Sequence, residues 1–90
     1  MAISGVSVPE WTLGDRMRKA RLRAGLKQRD MGDYLGMSHG AIGQYEMDIR
    51  TPKLAILRVW ALRCGVPLEW LRYGQVAEED APSSTRWYAA

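Results

Sequence analysis

Histidine and cysteine, the residue types that most often bind zinc, occur once each in this chain, as His39 and Cys64. A structural zinc site usually takes four Cys or His ligands, so one chain cannot build one. A Ser–His–acid triad could include His39, but no serine lies in a nucleophile-elbow pattern. Phosphate-binding loops of the GxxxxGK or GxGxxG type are also missing. The sequence therefore predicts no enzyme, no metal, no cofactor and no small-molecule substrate.

Positive charge offers a different chemistry. The segment 16–29 contains no acidic residue, whereas the end of the chain carries Glu78, Glu79 and Asp80 against the single Arg86. In a chain of net charge +3 this asymmetry favours a polyanionic partner, although a run of charge is equally compatible with a solvated helix face. The basic residues of the segment are Arg16, Arg18, Lys19, Arg21, Arg23, Lys27 and Arg29.

The elements that position these residues follow from periodicity and capping signals. Thr12 and Asp15 form a capping-box pattern, and Leu13, Met17 and Ala20 recur at helical spacing. Glycines at positions 25, 36 and 65 end the first, second and fourth predicted helices. The predicted fold is all-α, with five helices near residues 13–24, 28–35, 38–46, 53–64 and 67–72.

The second and third of these helices are the most informative. Only Met37 separates Gly36, which ends one helix, from Ser38, a strong N-cap for the next. Two short helices joined by a three-residue, glycine-containing turn are typical of a helix-turn-helix unit. An ordinary helical hairpin is the alternative, but its exposed helix would favour Glu, Lys and Ala. Here the predicted outer surface instead carries His39, Gly40, Gly43 and Gln44.

Residues 12–74 resemble the lambda-repressor-like helix-turn-helix domains of phage repressors, Cro proteins and related bacterial regulators. The stretch RKARLRAGLKQRDMGDYLGMSHGAIGQYE is similar to the first three helices of that family. The stretch TPKLAILRVWALRCGVPLEWLRYG is similar to the fourth and fifth. The resemblance implies a five-helix domain that binds double-stranded DNA through helices two and three.

The resemblance also implies roles for matching positions. Gly40 has no side chain to offer a base, so sequence choice would depend on His39 and Gln44, together with DNA shape. The implied base contacts are His39, Gly40 and Gln44; the implied backbone contacts are Gln28, Ser38, Arg50, Thr51 and Lys53; and the implied structural ion pair is Arg21 with Glu46.

A domain this small gains affinity by dimerising on a two-fold site. The sequence places a candidate dimer interface on an exposed apolar surface around Val66, Leu68, Trp70 and Leu71. The same residues could instead form a satellite of the core.

These observations predict a sequence-specific transcriptional regulator that binds double-stranded DNA, a phage or prophage repressor or Cro-like protein. The alternative is a protein-interaction module, antitoxin-like or binding a host regulator. Residues 1–11 are expected to form a flexible arm and residues 75–90 a flexible tail. One cysteine, no signal-peptide pattern and no apolar run of about 18–20 residues predict a cytoplasmic protein without a membrane segment.

Overall fold

The computed structural model describes residues 10–74, which form five α-helices and no strand. This architecture confirms the predicted all-α fold, and no predicted helix end differs from the observed end by more than one residue. The predicted arm, except residues 10 and 11, and the predicted tail lie outside the described residues. No helix among those described has the length and apolarity to cross a membrane. The helices are α1 Leu13–Arg23, α2 Gln28–Leu35, α3 His39–Glu46, α4 Leu54–Cys64 and α5 Leu68–Tyr73.

Local capping interactions explain where these helices begin. The amide of Asp15 donates to the Thr12 hydroxyl at 3.1 Å, and the Asp15 carboxylate accepts the Thr12 amide at 3.0 Å, which completes the predicted capping box. Lys27 has no side-chain oxygen to cap α2, so only half of a capping box forms there. The backbone amide of Lys27 donates to the Asp30 carboxylate at 2.8 Å. The N-terminus of α2 therefore lacks an N-cap side chain of the kind that stabilises the N-termini of α1 and α3.

A single apolar core lies between the helices. Its fully enclosed members come from all five helices and include Met17, Met31, Ile42, Trp60 and Leu71. The indole N–H of Trp60 donates to the Met17 carbonyl at 3.0 Å, so the one polar atom of this large ring is satisfied. Cys64 lies in the same core, and burial raises the pKa of its thiol to about 11. It is a packing residue and not a reactive one.

The prediction of an exposed apolar surface around α5, offered as a dimer interface, is wrong. Trp70 is 2% exposed, Leu71 is fully buried, and Val66 is also a core residue. Leu68 is partly buried against the same core. The physical reason is that α5 packs against both α1 and α4, which enclose its apolar side.

Arg16 joins the first helix to the last. Its guanidinium donates to the carbonyls of Leu71 and Arg72, each at 2.8 Å, and to the carbonyl of Trp11 at 2.6 Å. Burial lowers the pKa of Arg16, while the nearby carboxylates of Asp48 and Asp15 raise it. One of the seven basic residues of the 16–29 segment is therefore part of the fold, and Arg21 proves to be a second.

Candidate nucleic-acid interface

Helix α3 has two different sides. Ile42 is fully buried, Tyr45 is 4% exposed and Glu46 is 6% exposed, so this side contacts the rest of the domain. Gly40 and Gln44 lie on the other side and are exposed, and His39 is exposed in the first turn of the helix. The sequence predicted that these three candidate base-contacting residues would face outward, and the structure leaves all three exposed.

The turn before α3 is tight because two glycines permit it. Gly36 adopts a left-handed conformation, with φ of 71°, which ends α2. The Met37 amide then donates to the Gly32 carbonyl at 2.8 Å. A side-chain carbon at Gly32 would lie only 2.6 Å from the Met37 carbonyl oxygen. Glycine at position 32 therefore lets the turn pass close to α2, and Ser38 then caps α3 by accepting the Ala41 amide at 3.2 Å.

A buried ion pair fixes the C-terminal end of α3. Arg21 Nε and Nη2 donate to the two Glu46 carboxylate oxygens at 2.6 and 2.9 Å, a bidentate arrangement. Both side chains are enclosed, and Arg21 Nη1 also donates to the Leu26 carbonyl at 2.8 Å. The structure thus brings together the two residues for which the sequence predicted a pair. This pair links α1, the α1–α2 turn and α3.

Gln28 reinforces the same junction from α2. Its amide nitrogen donates to Glu46 Oε1 at 3.3 Å. A side-chain carbon at Gly43 would lie 3.6 Å from that nitrogen, so the Gln28 amide covers Gly43. Gly43 was expected to face outward freely, and instead it is partly buried under this side chain. Gln28 therefore already positions α3 before any partner binds.

Two residues that the sequence did not single out complete this junction. The Asp48 carboxylate accepts the Gly14 amide at 2.9 Å and the Thr12 hydroxyl, so it binds the N-terminal end of α1. Asp48 has a φ of 59°, a left-handed conformation that Asp tolerates better than most residues. A side-chain carbon at Gly14 would collide with the carbonyl oxygen of Glu46. Gly14 stands in the first turn of a helix, where glycine is unfavourable. That position was the signal in the sequence for the close approach of α1 to α3.

The loop after α3 is held against the helix that it follows. The amides of Ile49 and Arg50 both donate to the Gln44 carbonyl, at 3.0 and 3.2 Å. The Arg50 guanidinium lies 5.5 Å from the centre of the Tyr45 ring, within cation–π range. Arg50, Thr51 and Lys53 are all exposed. The loop therefore places two positive charges at the end of the free surface of α3.

No group of three or more His, Cys, Asp or Glu side chains within residues 10–74 is placed to hold a metal ion. The exposed polar groups on α3 and the loop after it are amide, imidazole, hydroxyl, guanidinium and ammonium groups, apart from the Asp48 carboxylate, which is bound to the start of α1. Such groups can donate hydrogen bonds to anionic oxygens and to acceptor atoms of bases.

Comparison with known proteins identifies the class. A family model described as "Helix-turn-helix" matches residues 17–71, which is more than half of the chain. The chain therefore belongs to the helix-turn-helix family, as the sequence predicted.

Two individual proteins are similar to it. One is the SPbeta prophage-derived uncharacterized HTH-type transcriptional regulator YonR of Bacillus subtilis (strain 168), 33% identical over 67 residues, or 74% of this chain. The chain spans 62% of the length of that relative. The other is the P22 c2 repressor, in a crystal structure of its complex with synthetic operator 9T in the presence of Tl+. That structure aligns with a TM-score of 0.67 at 24% identity, covering 73% of this chain and 100% of the repressor chain, so the two share a fold.

Proposed function

We propose that this chain is a sequence-specific, double-stranded DNA-binding transcriptional regulator of the phage or prophage repressor or Cro type. The observation that carries the proposal is the free surface of α3: His39, Gly40 and Gln44 are exposed while the opposite side of the helix is fixed by a buried ion pair. The similar protein of Bacillus subtilis is by name a transcriptional regulator, and the P22 c2 repressor was crystallised with an operator.

In this proposal α3 enters the major groove. The Gln44 amide offers a donor and an acceptor side by side, which match N7 and N6 of adenine. His39, in the first turn, reaches a second base edge. Gly40 presents bare backbone one turn before Gln44, because nothing but the Ser38 hydroxyl, 3.9 Å away, lies near the position of its missing side chain. Gly40 thus allows the helix axis to approach the bases closely.

The phosphate contacts come from the two ends of α3. The Ser38 hydroxyl oxygen accepts a hydrogen bond from the Ala41 amide, and its hydrogen remains available to donate to a phosphate. Arg50, Thr51 and Lys53 flank the other end, with Gln28 beside the turn. These contacts supply affinity that does not depend on sequence and that falls steeply with salt.

The homodimer stays part of the proposal, but its surface must lie elsewhere than on α5. Ile49, Leu54, Val59 and Leu62 are apolar and exposed, on α4 and the loop before it. This loop also carries the backbone-contacting residues, so copies that meet there would stand side by side on DNA. Sedimentation should show that Leu62→Asp weakens self-association on a site with two half-sites, whereas Leu22→Asp on α1 does not. A monomer on such a site would remove the dimer from the proposal.

A protein-interaction module is the second candidate, because α3 could equally present its free surface to a protein. Catalysis forms no part of the proposed role, which would be performed in the bacterial cytoplasm. A salt titration on random duplex DNA separates the two candidates: a DNA-binding protein that contacts several phosphates should lose about 10³-fold or more in affinity between 50 and 200 mM salt.

The decisive experiment compares two glutamines on two kinds of DNA. A specific site is first selected from a random duplex library. Gln44→Ala should cost about 1–3 kcal/mol on that site, relax preference at one base pair and barely change binding to random DNA. Gln28→Ala should weaken both, because it removes a phosphate contact, which carries no sequence information, and also the hydrogen bond to Glu46 that helps to position α3.

All four affinities are measured at one salt concentration, with circular dichroism melts to verify folding. Equal losses for Gln44→Ala on both kinds of DNA would show that α3 does not read bases.

A further inference from the structure

A groove of about 320 Å³ runs along the solvent side of α1. It is lined by Trp11, Asp15, Arg18, Lys19 and Leu22, whose spacing of i, i+4, i+7, i+8 and i+11 places them on one helix face. Trp11 is 43% exposed and Leu22 is 48% exposed, so two large apolar side chains face water. The Lys19 ammonium lies 5.9 Å from the centre of the Trp11 ring. The positive charges of Arg18 and Lys19 outnumber the single Asp15 carboxylate, and together with the apolar walls they suit a ligand that is both acidic and apolar.

The groove is separate from the candidate DNA-binding surface. Helix α1 meets α3 through Gly14 and Arg21, which are buried, whereas Arg18 and Leu22 are exposed. None of the groove residues contributes to the packing or the ion pair that positions α3. The groove can therefore be occupied whether or not α3 is engaged.

The described chain ends beside this groove. A side-chain carbon at Gly74 would lie 3.4 Å from Arg16 Nη1, and Arg16 also binds the carbonyl of Trp11 at the head of the groove. Residues 78–80 follow Gly74 by four to six positions, a reach of about 13–22 Å at 3.3–3.6 Å per residue. From Arg16 to Leu22 the rise along α1 is about 9 Å at 1.5 Å per residue. The segment that leaves at Gly74 can reach every residue of the groove.

We propose that the chain's own segment 75–90 docks in this groove. Glu78, Glu79 and Asp80 complement Arg18 and Lys19 in charge, against a single base in the segment, Arg86. The same segment supplies two aromatic side chains for the walls formed by Trp11 and Leu22, namely Trp87 and Tyr88. Ion pairs at an exposed surface are individually weak and are screened by salt. The docking is therefore reversible and depends on ionic strength.

Nuclear magnetic resonance on the full chain tests this docking. A nitroxide is attached through Ser84→Cys; burial protects the thiol of Cys64, so the label goes to the new position. At low salt the amide signals of Arg18, Lys19 and Leu22 should lose intensity. The combined change Glu78→Gln, Glu79→Gln and Asp80→Asn should restore them, as should added salt.

A matched pair of variants locates the site. Lys19→Gln should abolish the intensity loss, whereas Arg29→Gln, which removes an exposed charge from α2, should leave it unchanged. Losses spread over α3, or no losses at all, would overturn the proposal. So would losses that appear only when labelled and isotopically enriched copies are mixed, because the occupant would then be a second copy. DNA is absent throughout, so failure here and failure of the proposed function are distinguishable.

Discussion

The inner and outer sides of α3 differ in almost every physical respect. On the inner side, Glu46 is buried in a bidentate ion pair and the helix end touches α1 at Gly14 so closely that no side chain fits between them. On the outer side, His39, Gly40 and Gln44 are exposed. Within residues 10–74, the side chains of His39 and Gln44 form no hydrogen bond to another residue. The comparison teaches that one side of a single eight-residue helix fixes its position, while the other side is left free for the recognition that we propose.

This separation has a thermodynamic meaning. A buried ion pair stabilises a fold only weakly relative to apolar replacements, because desolvation offsets the attraction between its charges. It nevertheless penalises any arrangement in which one partner is missing. The Arg21–Glu46 pair therefore specifies where the end of α3 lies, and the outer residues are free to vary without loss of that position.

The largest effect should come from breaking the inner side. Glu46→Ala or Arg21→Ala leaves an uncompensated buried charge and should lower the free energy of unfolding by about 3–5 kcal/mol. Thermal and urea denaturation measure this change. Arg18→Ala, which removes an exposed charge from the same helix as Arg21, should stay within about 0.5 kcal/mol. Unchanged melting temperatures for both pair variants would show that the pair contributes nothing to the position of α3.

A smaller effect should follow from adding one methyl group to the inner side. In Gly14→Ala the new carbon would collide with the Glu46 carbonyl oxygen, which is backbone and cannot rotate away. Overpacking of this kind costs about 1–3 kcal/mol. Urea denaturation should show a lower midpoint with an unchanged slope. A variant as stable as the parent would mean that α1 and α3 can move apart at no cost.

The same methyl group on the outer side should have the opposite sign. Gly40 is helical and exposed, with no atom nearer than 3.9 Å to the position of a side-chain carbon. Gly40→Ala should therefore stabilise the domain by about 0.5–1 kcal/mol. If α3 lies deep in the major groove, the same change should weaken binding to the selected DNA site. Tighter binding together with higher stability would indicate that Gly40 does not approach the bases.

The helices could be predicted because their ends depend on neighbouring residues. Thr12 with Asp15 and Ser38 with the Ala41 amide are interactions across three residues, which the sequence displays directly. The left-handed conformation of Gly36 is likewise a local property. The exposure of Gln44 followed from the period of α3, whereas His39 is the first residue of the helix and is exposed although it precedes buried Ile42 by three positions. The contacts of both residues with bases stay predictions.

Contacts between distant residues could not be predicted in the same way. Arg16 lies 55 and 56 positions from the carbonyls that it binds on α5, and nothing near it in sequence distinguishes it from Arg18. The burial of Trp70 and Leu71 depends on how α5 meets α1 and α4, so the sequence left open whether this short amphipathic helix forms an exposed patch or part of the core. Asp48 was overlooked because its partners, Thr12 and Gly14, precede it by 36 and 34 positions.

The Arg16 guanidinium also bears on how the domain comes apart. Terminal helices are ordinarily the first to fray, since they have neighbours on one side only. Here α5 has just six residues, too few to persist alone in water, yet its last turn is bound to the first helix by charge-assisted hydrogen bonds. Neither α1 nor α5 can separate from the rest of the domain without breaking the hydrogen bonds from Arg16 to α5. Amide hydrogens of α5 should therefore exchange with solvent no faster than those of α1, as in a single cooperative unit.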